Sequence, residues 1–347
     1  MTMDAGLLVR LHPAGPWRFG ASSGERDRLD RLYRSDALYS AVTLAMAELG
    51  LLEAWLEATA APATPQVRLT SCFPWQEGIL FVTPPRSHWP AAAVKLRTKG
   101  ADFIPASLAG ALLEGAPFHE DDWIVDGWSR CLLPAARPAS AGGPFRDSLR
   151  SFAAVDRRDP ARIAPHRAAC IEFAPNAGLW CFAAFSDPEA QTRWSVPLEG
   201  AFRLLADSGI GGRRSIGWGR AVAVEIAPKT LEELLFGSLR PPERTEATAA
   251  EITTLYWLLS LYTPAPQDAV DWTQGAYSVV TRGGRAESRI TAPAPKRLLR
   301  MVEEGSVIAA ASPPAGMASD VSPDGFPHPV YRYGRPVAWP IGRRIAA

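Results

Sequence analysis

The sequence predicts an α+β fold with antiparallel sheets, and three observations carry that expectation. Short apolar runs of alternating character recur along the chain, bounded by Pro, Gly and Asn, as half-buried strands are. Two segments space their apolar residues at the helical repeat. The order of these segments in the first two-thirds is strand, helix, strand pair, then strand pair, helix, strand, which suits antiparallel pairing around two helices.

Each element follows in order. "GLLVRLHPAG" (6–15) is a strand ending at Pro13. "SDALYSAVTLAMAELG" (35–50) is a helix: Ser35 suits its N-cap, Asp36 suits the positive helix start, and Leu38, Val42, Ala45, Met46 and Leu49 form the apolar face. Gly50 breaks it before "LLEAWLEA". "QVRLTSCFPW" (66–75) and "GILFVTPP" (78–85) read as a hairpin. Between about 86 and 165 the pattern loosens, and "PAARPASAGGPFRD" reads as a loop. "RAACIEFAPNAGLWCFAAF" (167–185) reads as a second hairpin turned by "PNAG", "VPLEGAFRLLADSG" (196–209) as a short helix, and "RAVAVEI" as a strand. Without one hairpin this is a ferredoxin-like β-α-β-β-α-β unit, the RRM-like fold. Beyond the linker "GSLRPPERTEATAAE", strands are expected over 275–285, 304–311 and 328–341, the last a hairpin turned by "YGRP". The expected organisation is a first RRM-like domain over 1–236 with an insertion around 86–165, and a degenerate one over 252–347.

Composition narrows the chemistry. The 347 residues are 47% hydrophobic and 21% charged, enough apolar mass for two domains. A net charge of +1 confines any anion site to a local patch. Only four of the 37 basic residues are lysines (Lys95, Lys99, Lys229, Lys296), and arginine suits bidentate phosphate contacts. Cys72, Cys131, Cys170 and Cys181 form no CxxC pair. No signal peptide or apolar run of bilayer length is expected, so the chain reads as cytoplasmic, with no membrane role. No Cys/His spacing suits zinc; no metal and no cofactor are expected.

The segment "DSGIGGRRSIGWGRAVAVEI" (207–226) carries the chemistry. It is no dinucleotide fingerprint, because Arg214 stands where the third glycine belongs and the order is helix, loop, strand. It is no Walker loop, because Trp218 and Gly219 follow Gly217 where Lys and Ser/Thr belong. Two readings remain. Successive glycine N–H groups can cradle an anion, with Arg213, Arg214 and Arg220 on phosphates, Ser215 as a donor and Trp218 as a stacking platform. Alternatively the glycines serve close packing of the loop on its own helix and sheet.

This loop resembles the glycine-rich loop of the RAMP superfamily, the RRM-like CRISPR RNA-binding proteins. "RSDALYSAVTLAMAELG", "LTSCFPWQEGILFVTPP", "VKLRTKGADFIP", "AAVDRRDPARIAPHRAACIEFAPNAGLWCFAAF", "EEGSVI", "GMASDVSP" and "FPHPVYRYGRPVAWPI" follow in the order of one branch. Together they resemble the fourth Csm-type subunit family of type III-A CRISPR effector complexes, in the CRISPR-associated fifth-family group. The resemblance implies a non-catalytic subunit with two RRM-like domains. It implies a grip on the 5′ repeat-derived tag of the guide RNA (crRNA) and contacts with the large polymerase-like subunit and backbone RAMP subunits. Target RNA would be reached through the complex. The residues it implies are Gly211, Gly212, Arg213, Arg214, Ser215, Gly217, Trp218 and Gly219 in the loop, Arg18, Phe19 and Gly20 in "PWRFG", and Arg97 and Lys99 in the basic segment. Asp156 and Arg157 match an Asp-Arg pair. The sequence departs from the pattern at Arg213, where lysine is frequent, at Ile216, where a small polar residue is common, and at Trp218, which replaces phenylalanine. Residues 131–145 have no counterpart.

Some RAMP relatives cut precursor guide RNA by acid–base catalysis. A processing endoribonuclease is therefore the alternative, with His12, at the end of the first strand, the nearest histidine to the loop.

Overall fold

The computed structural model describes residues 5–20, 29–89, 100–138, 142–155, 163–237, 254–286, 288 and 291–343. The first part runs β1 (Ala5–Pro13), α1 (Ser35–Glu48), α2 (Leu52–Thr59), β2 (Val67–Leu69), β3 (Phe73–Gln76), β4 (Ile79–Val82), β5 (Ile104–Pro105), α3 (Ala106–Leu113), β6 (Trp123–Val125) and β7 (Leu132–Pro134). It continues with β8 (Phe145–Val155), β9 (Ile163–Phe173), β10 (Ala177–Phe185), α4 (Pro188–Ser208), β11 (Ala221–Thr230) and α5 (Leu231–Phe236).

The main sheet is ordered β11-β1-β10-β3-β4-β5, with β2 pairing β10 above β3. Every pairing within it is antiparallel. For the unit β1-α1-β2/β3-β10-α4-β11 the strand order is fourth, first, third, second. β10 lies between β1 and β2/β3 and buries all nine of its residues. Val9, Leu38, Val42, Met46, Phe182, Leu198 and Phe202 share one core, so the apolar stripes of α1 and α4 close on the sheet.

Several expectations are corrected. β9 and β10 flank "PNAG" but do not pair. β9 pairs β8 over eleven residues, from Phe145↔Phe173 to Val155↔Ile163, as a long ribbon, while β10 enters the main sheet. The helix expected over 196–209 begins earlier, at Pro188, because Asp187 caps it by accepting from the Ala190 amide at 2.8 Å; Pro197 lies inside it. Ser35 is not the cap of α1: Arg34 holds that position, and the Ser35 hydroxyl accepts from the Leu261 amide at 3.0 Å. The expected loop over 134–147 gives way to β8 at Phe145.

The second part comprises β12 (Thr254–Leu258), β13 (Val270–Ala276), β14 (Val279–Arg282), β15 (Arg285–Ala286), β16 (Ala294–Pro295), β17 (Leu299–Val302), β18 (Val307–Ala310), β19 (Met317–Asp320), β20 (Tyr331–Gly334) and β21 (Ala338–Arg343). Its main sheet is β13-β18-β12-β21, with β14-β17, β15-β16 and β19-β20 as two-stranded ribbons. Among the described residues of 254–343 there is no helix, so the helices of the expected ferredoxin-like domain do not occur among them. "YGRP" turns no hairpin either: β20 pairs β19 and β21 pairs β12. Tyr333 explains the separation. It stacks on Tyr39 of α1 at 4.0 Å and donates its hydroxyl to the Val67 carbonyl at 2.6 Å, fastening β20 to the first unit.

Candidate nucleic-acid interface

The glycine loop (209–220) joins α4 to β11 and closes on the segment that follows β1. The Gly212 amide donates to the Arg18 carbonyl at 2.8 Å, the Gly219 amide to the Pro16 carbonyl at 3.0 Å, and the Ala14 amide to the Arg220 carbonyl at 2.8 Å. Trp17 Nε1 also donates to the Arg220 carbonyl, at 3.0 Å. Two glycines exist for this interlock. A Cβ at Gly211 would lie 2.3 Å from the Arg18 carbonyl oxygen, and one at Gly219 2.0 Å from that of Ile210; both residues have φ near +80°. The bare backbone therefore serves close packing first, while the tip faces outward: Arg214, Ser215 and Ile216 are exposed.

Arg213 adopts left-handed φ (63°) and lies over the Phe152 ring at 4.5 Å and the Trp218 ring at 5.6 Å. Trp218 is buried, packed with Ala168, Cys170 and Phe152 of the β8–β9 ribbon, so it supports the loop from beneath instead of offering a face to a base. Phe19 is likewise buried, tilted against Tyr33 at 4.8 Å. Gly20 is exposed, and Arg18 donates to the Ala169 carbonyl at 2.7 Å. Thus the structure brings the loop and "PWRFG" together. Arg97, Lys99, Asp156 and Arg157 lie outside the described residues.

Sequence reasoning missed the other wall. A cleft of about 300 Å³ opens between the loop, α1 and the second unit, and takes Arg282, Gly283, Lys296 and Arg332 into its lining. Beneath it Asp36, fully buried, receives Arg282 through Nε at 3.0 Å and Nη2 at 3.1 Å, and Arg332 through Nη1. Burial opposes the Asp36 charge, but the two guanidinium groups outweigh it and hold the carboxyl below its ordinary range. Arg34 pairs with Glu303 at 3.1 Å and Glu304 at 2.6 Å, and Ser71 donates to Glu304. Burial pushes Glu304 above the ordinary range despite Arg34. Burial also raises Asp30, whose carboxylate lies 3.5 Å from Arg282. The only signal in the sequence was the recurrence of Arg beside Gly in "TRGGR" and "YRYGR", which gives no partner.

His12 Nε2 lies 2.9 Å from Glu225, which also pairs with Arg10 at 2.6 Å, and the imidazole meets Trp75 edge-on at 4.8 Å. Among the described residues no group of three metal-ligating side chains occurs, and no helix is long and apolar enough to cross a membrane.

The fold and this cleft define an α+β protein with antiparallel sheets whose glycine-rich loop and arginine-bearing seam converge. Residues 251–341 match the CRISPR Csm4 C-terminal domain family. The chain is similar to a chain of the Csm3-Csm4 subcomplex of the type III-A CRISPR-Cas interference complex, at 16% identity and a TM-score of 0.59, covering 96% of this chain and 98% of that one. It is similar, also at 16% identity, to chains of Csm1-Csm4 cassettes with cA4 and with pppApA, at TM-scores of 0.54 and 0.53, covering 99% of each chain. No curated protein matches. The family match thus covers the second unit, and the structural likeness shows a fold shared with these chains along nearly the whole length.

Proposed function

We propose that the chain is a non-catalytic crRNA-binding subunit of a type III CRISPR interference complex, working in the cytoplasm. It holds the 5′ repeat-derived tag and docks a large polymerase-type subunit and a backbone RAMP subunit, as the Csm1-Csm4 and Csm3-Csm4 assemblies suggest. On this reading residues 1–236 are a ferredoxin-like RAMP domain, whose fourth-first-third-second strand order supports it, and 252–347 a second domain, built of strands over its described residues. One observation carries the reading. The glycine loop is fastened to residues 14–18 by backbone bonds, so the exposed Arg214 and Ser215 project from a fixed platform beside a cationic cleft. Phosphate contacts there would supply affinity, and splayed bases specificity.

The test measures binding of the full chain to guide RNA with and without its tag, in magnesium and in chelator, and then RNA length. Tag-dependent binding with intact RNA is expected. Binding indifferent to the tag would overturn the assignment. The His12–Glu225 pair favours one second reading, the processing endoribonuclease, because a carboxylate beside an imidazole is an acid–base arrangement. RNA that the parent chain shortens and the His12→Ala variant leaves whole would establish it.

A further inference from the structure

We propose that Cys72 and Cys181 are an oxidation site: a small disulfide of the glutathione class converts them to a cross-strand bond while the core is open. Register brings them together. β3 and β10 pair as Phe73↔Trp180, so the next rung sets Cys72 against Cys181. Nearby, β2 pairs β10 as Leu69↔Ala183, so the strand carrying Cys72 holds one extra residue between the two stretches. Such an insertion is a β-bulge, with Ser71 and Cys72 sharing one opposing position. Directly opposed residues of an antiparallel pair have Cα atoms about 4.5–5.5 Å apart, inside the range of about 4.4–6.8 Å that a disulfide spans. The two thiols meet as side-chain hydrogen-bonding partners in the same core. The other cysteines lie elsewhere: Cys131 approaches the Ser129 carbonyl at 3.9 Å, and Cys170 packs with Trp218 under the β8–β9 ribbon.

The bulge also leaves work for such a bond. The Ser71 amide donates to the Leu259 carbonyl at 3.0 Å and the Cys72 amide to the Tyr33 carbonyl at 2.8 Å, so neither serves β10. The Ser71 hydroxyl accepts from the Ser35 amide at 2.8 Å and donates to Glu304. Residues 71–72 therefore join α1 and the second unit through the backbone and Ser71, and meet Cys181 through a side chain. A covalent bond there ties this junction to the central strand and closes a loop of about 100 residues.

The chemistry balances. One cysteine thiolate attacks a sulfur of oxidised glutathione and releases one reduced glutathione; the second thiol then loses its proton, and its sulfur displaces the other. The two cysteines give up one electron each, and the small disulfide becomes two thiols. Both cysteines are free and fully buried, and burial pushes the Cys72 thiol well above its ordinary range, so the folded chain holds little thiolate and admits no oxidant. Reaction therefore awaits folding or opening of the sheet. A reducing compartment keeps the pair as thiols, and an oxidising glutathione pool closes it.

The experiment uses the full parent chain, refolded from denaturant in oxidised glutathione, alkylated, and digested without reductant for mass spectrometry. A linked peptide holding Cys72 and Cys181 is expected, lighter than its two parts by two hydrogens. The oxidised chain is expected to melt about 5 °C higher than the reduced one. The chain oxidised while folded is expected to gain the link at least about tenfold more slowly. A Cys131→Ala/Cys170→Ala chain, which keeps the pair, is expected to behave like the parent. Four free thiols after refolding, glutathione left on either cysteine, or links through Cys131 or Cys170 in place of this one would each overturn the inference. A linked chain that melts no higher would show that the bond does not fit the native sheet, and equal rates in folded and refolding chains would refute the need for opening; either also overturns it.

Discussion

Gly217 and Gly219 are two residues apart and have nearly the same φ, +85° and +80°, yet only one has neighbours. A Cβ at Gly217 meets nothing within 4 Å, whereas one at Gly219 meets the Ile210 backbone at 2.0 Å. Gly217→Ala should cost only the left-handed backbone, about 1–2 kcal/mol. Gly219→Ala should cost that and break the Ile210–Gly219 and Gly219–Pro16 bonds, so its thermal melt should fall further. Equal melting temperatures would show that the interlock contributes nothing. The arginines split in the same way. Both Arg213→Ala and Arg214→Ala should lower the salt slope of RNA binding, by about 1 for each phosphate the variant no longer neutralises. Only Arg213→Ala should also lower the melting temperature, since Arg213 lies over Phe152 and Trp218 while Arg214 is exposed. The sequence made the need for bare backbone visible but not its object. Nothing local to "GIGGRRSIGWG" says that its partner is the Arg18 carbonyl, nearly two hundred residues away. Trp218 misled for a related reason: indole can stack on a base or fill a gap, and the choice depends on the β8–β9 ribbon beside it.

At the level of elements, the helices and most strands were legible because burial imposes a period on the residues: α1 falls where its apolar repeat lies, and β3–β4 pair as the short connection at Glu77–Gly78 requires. Partners were less legible. β10 is apolar throughout because both its neighbours and both its faces are covered. A strand with no alternation carries no mark of which edge it pairs on, so the adjacent β9 looked like its mate. The same holds for β20 and β21, whose destinations are set by Tyr39 and β12, not by the turn between them. Where an element end is written in local chemistry, a local substitution tests it. Thr230 caps α5 in a reciprocal box with Glu233, the two amides donating at 3.1 and 3.3 Å. Thr230→Ala should cost about 1 kcal/mol in a denaturant titration; no change would mean that packing of α5 on α3 alone holds the short helix.

Across the whole molecule, the seam depends on charges that sit far apart in sequence. Asp36 was read as complementing the start of its own helix; its larger role is to receive two arginines from the other half of the chain. Removing it leaves both guanidinium groups buried without their carboxylate, so Asp36→Ala should cost about 3–5 kcal/mol and split one unfolding transition into two. A single unshifted transition in calorimetry would refute the coupling. The pH dependence has a definite sign. Asp36 titrates below its ordinary range in the folded chain, so its contribution is complete above the unfolded value, about pH 3.9, and is lost as pH falls through the folded value. Glu304 is raised, so its contribution has the opposite sign, present at low pH and lost as pH rises through its folded value. Below about pH 3.9, melting temperatures should therefore fall more steeply in the parent than in Asp36→Asn.

The interlock between the loop and residues 14–18 also bears on synthesis. A ribosome delivers Arg18 early and Gly219 late, with most of the main sheet in between, and Lys296 later still. A nascent chain has a β1 end with no platform over it until Gly219 has emerged, and no second wall until the last ribbons form. On the function proposed above, the growing chain would not capture RNA by this route, because the platform is assembled only once the protein is nearly complete.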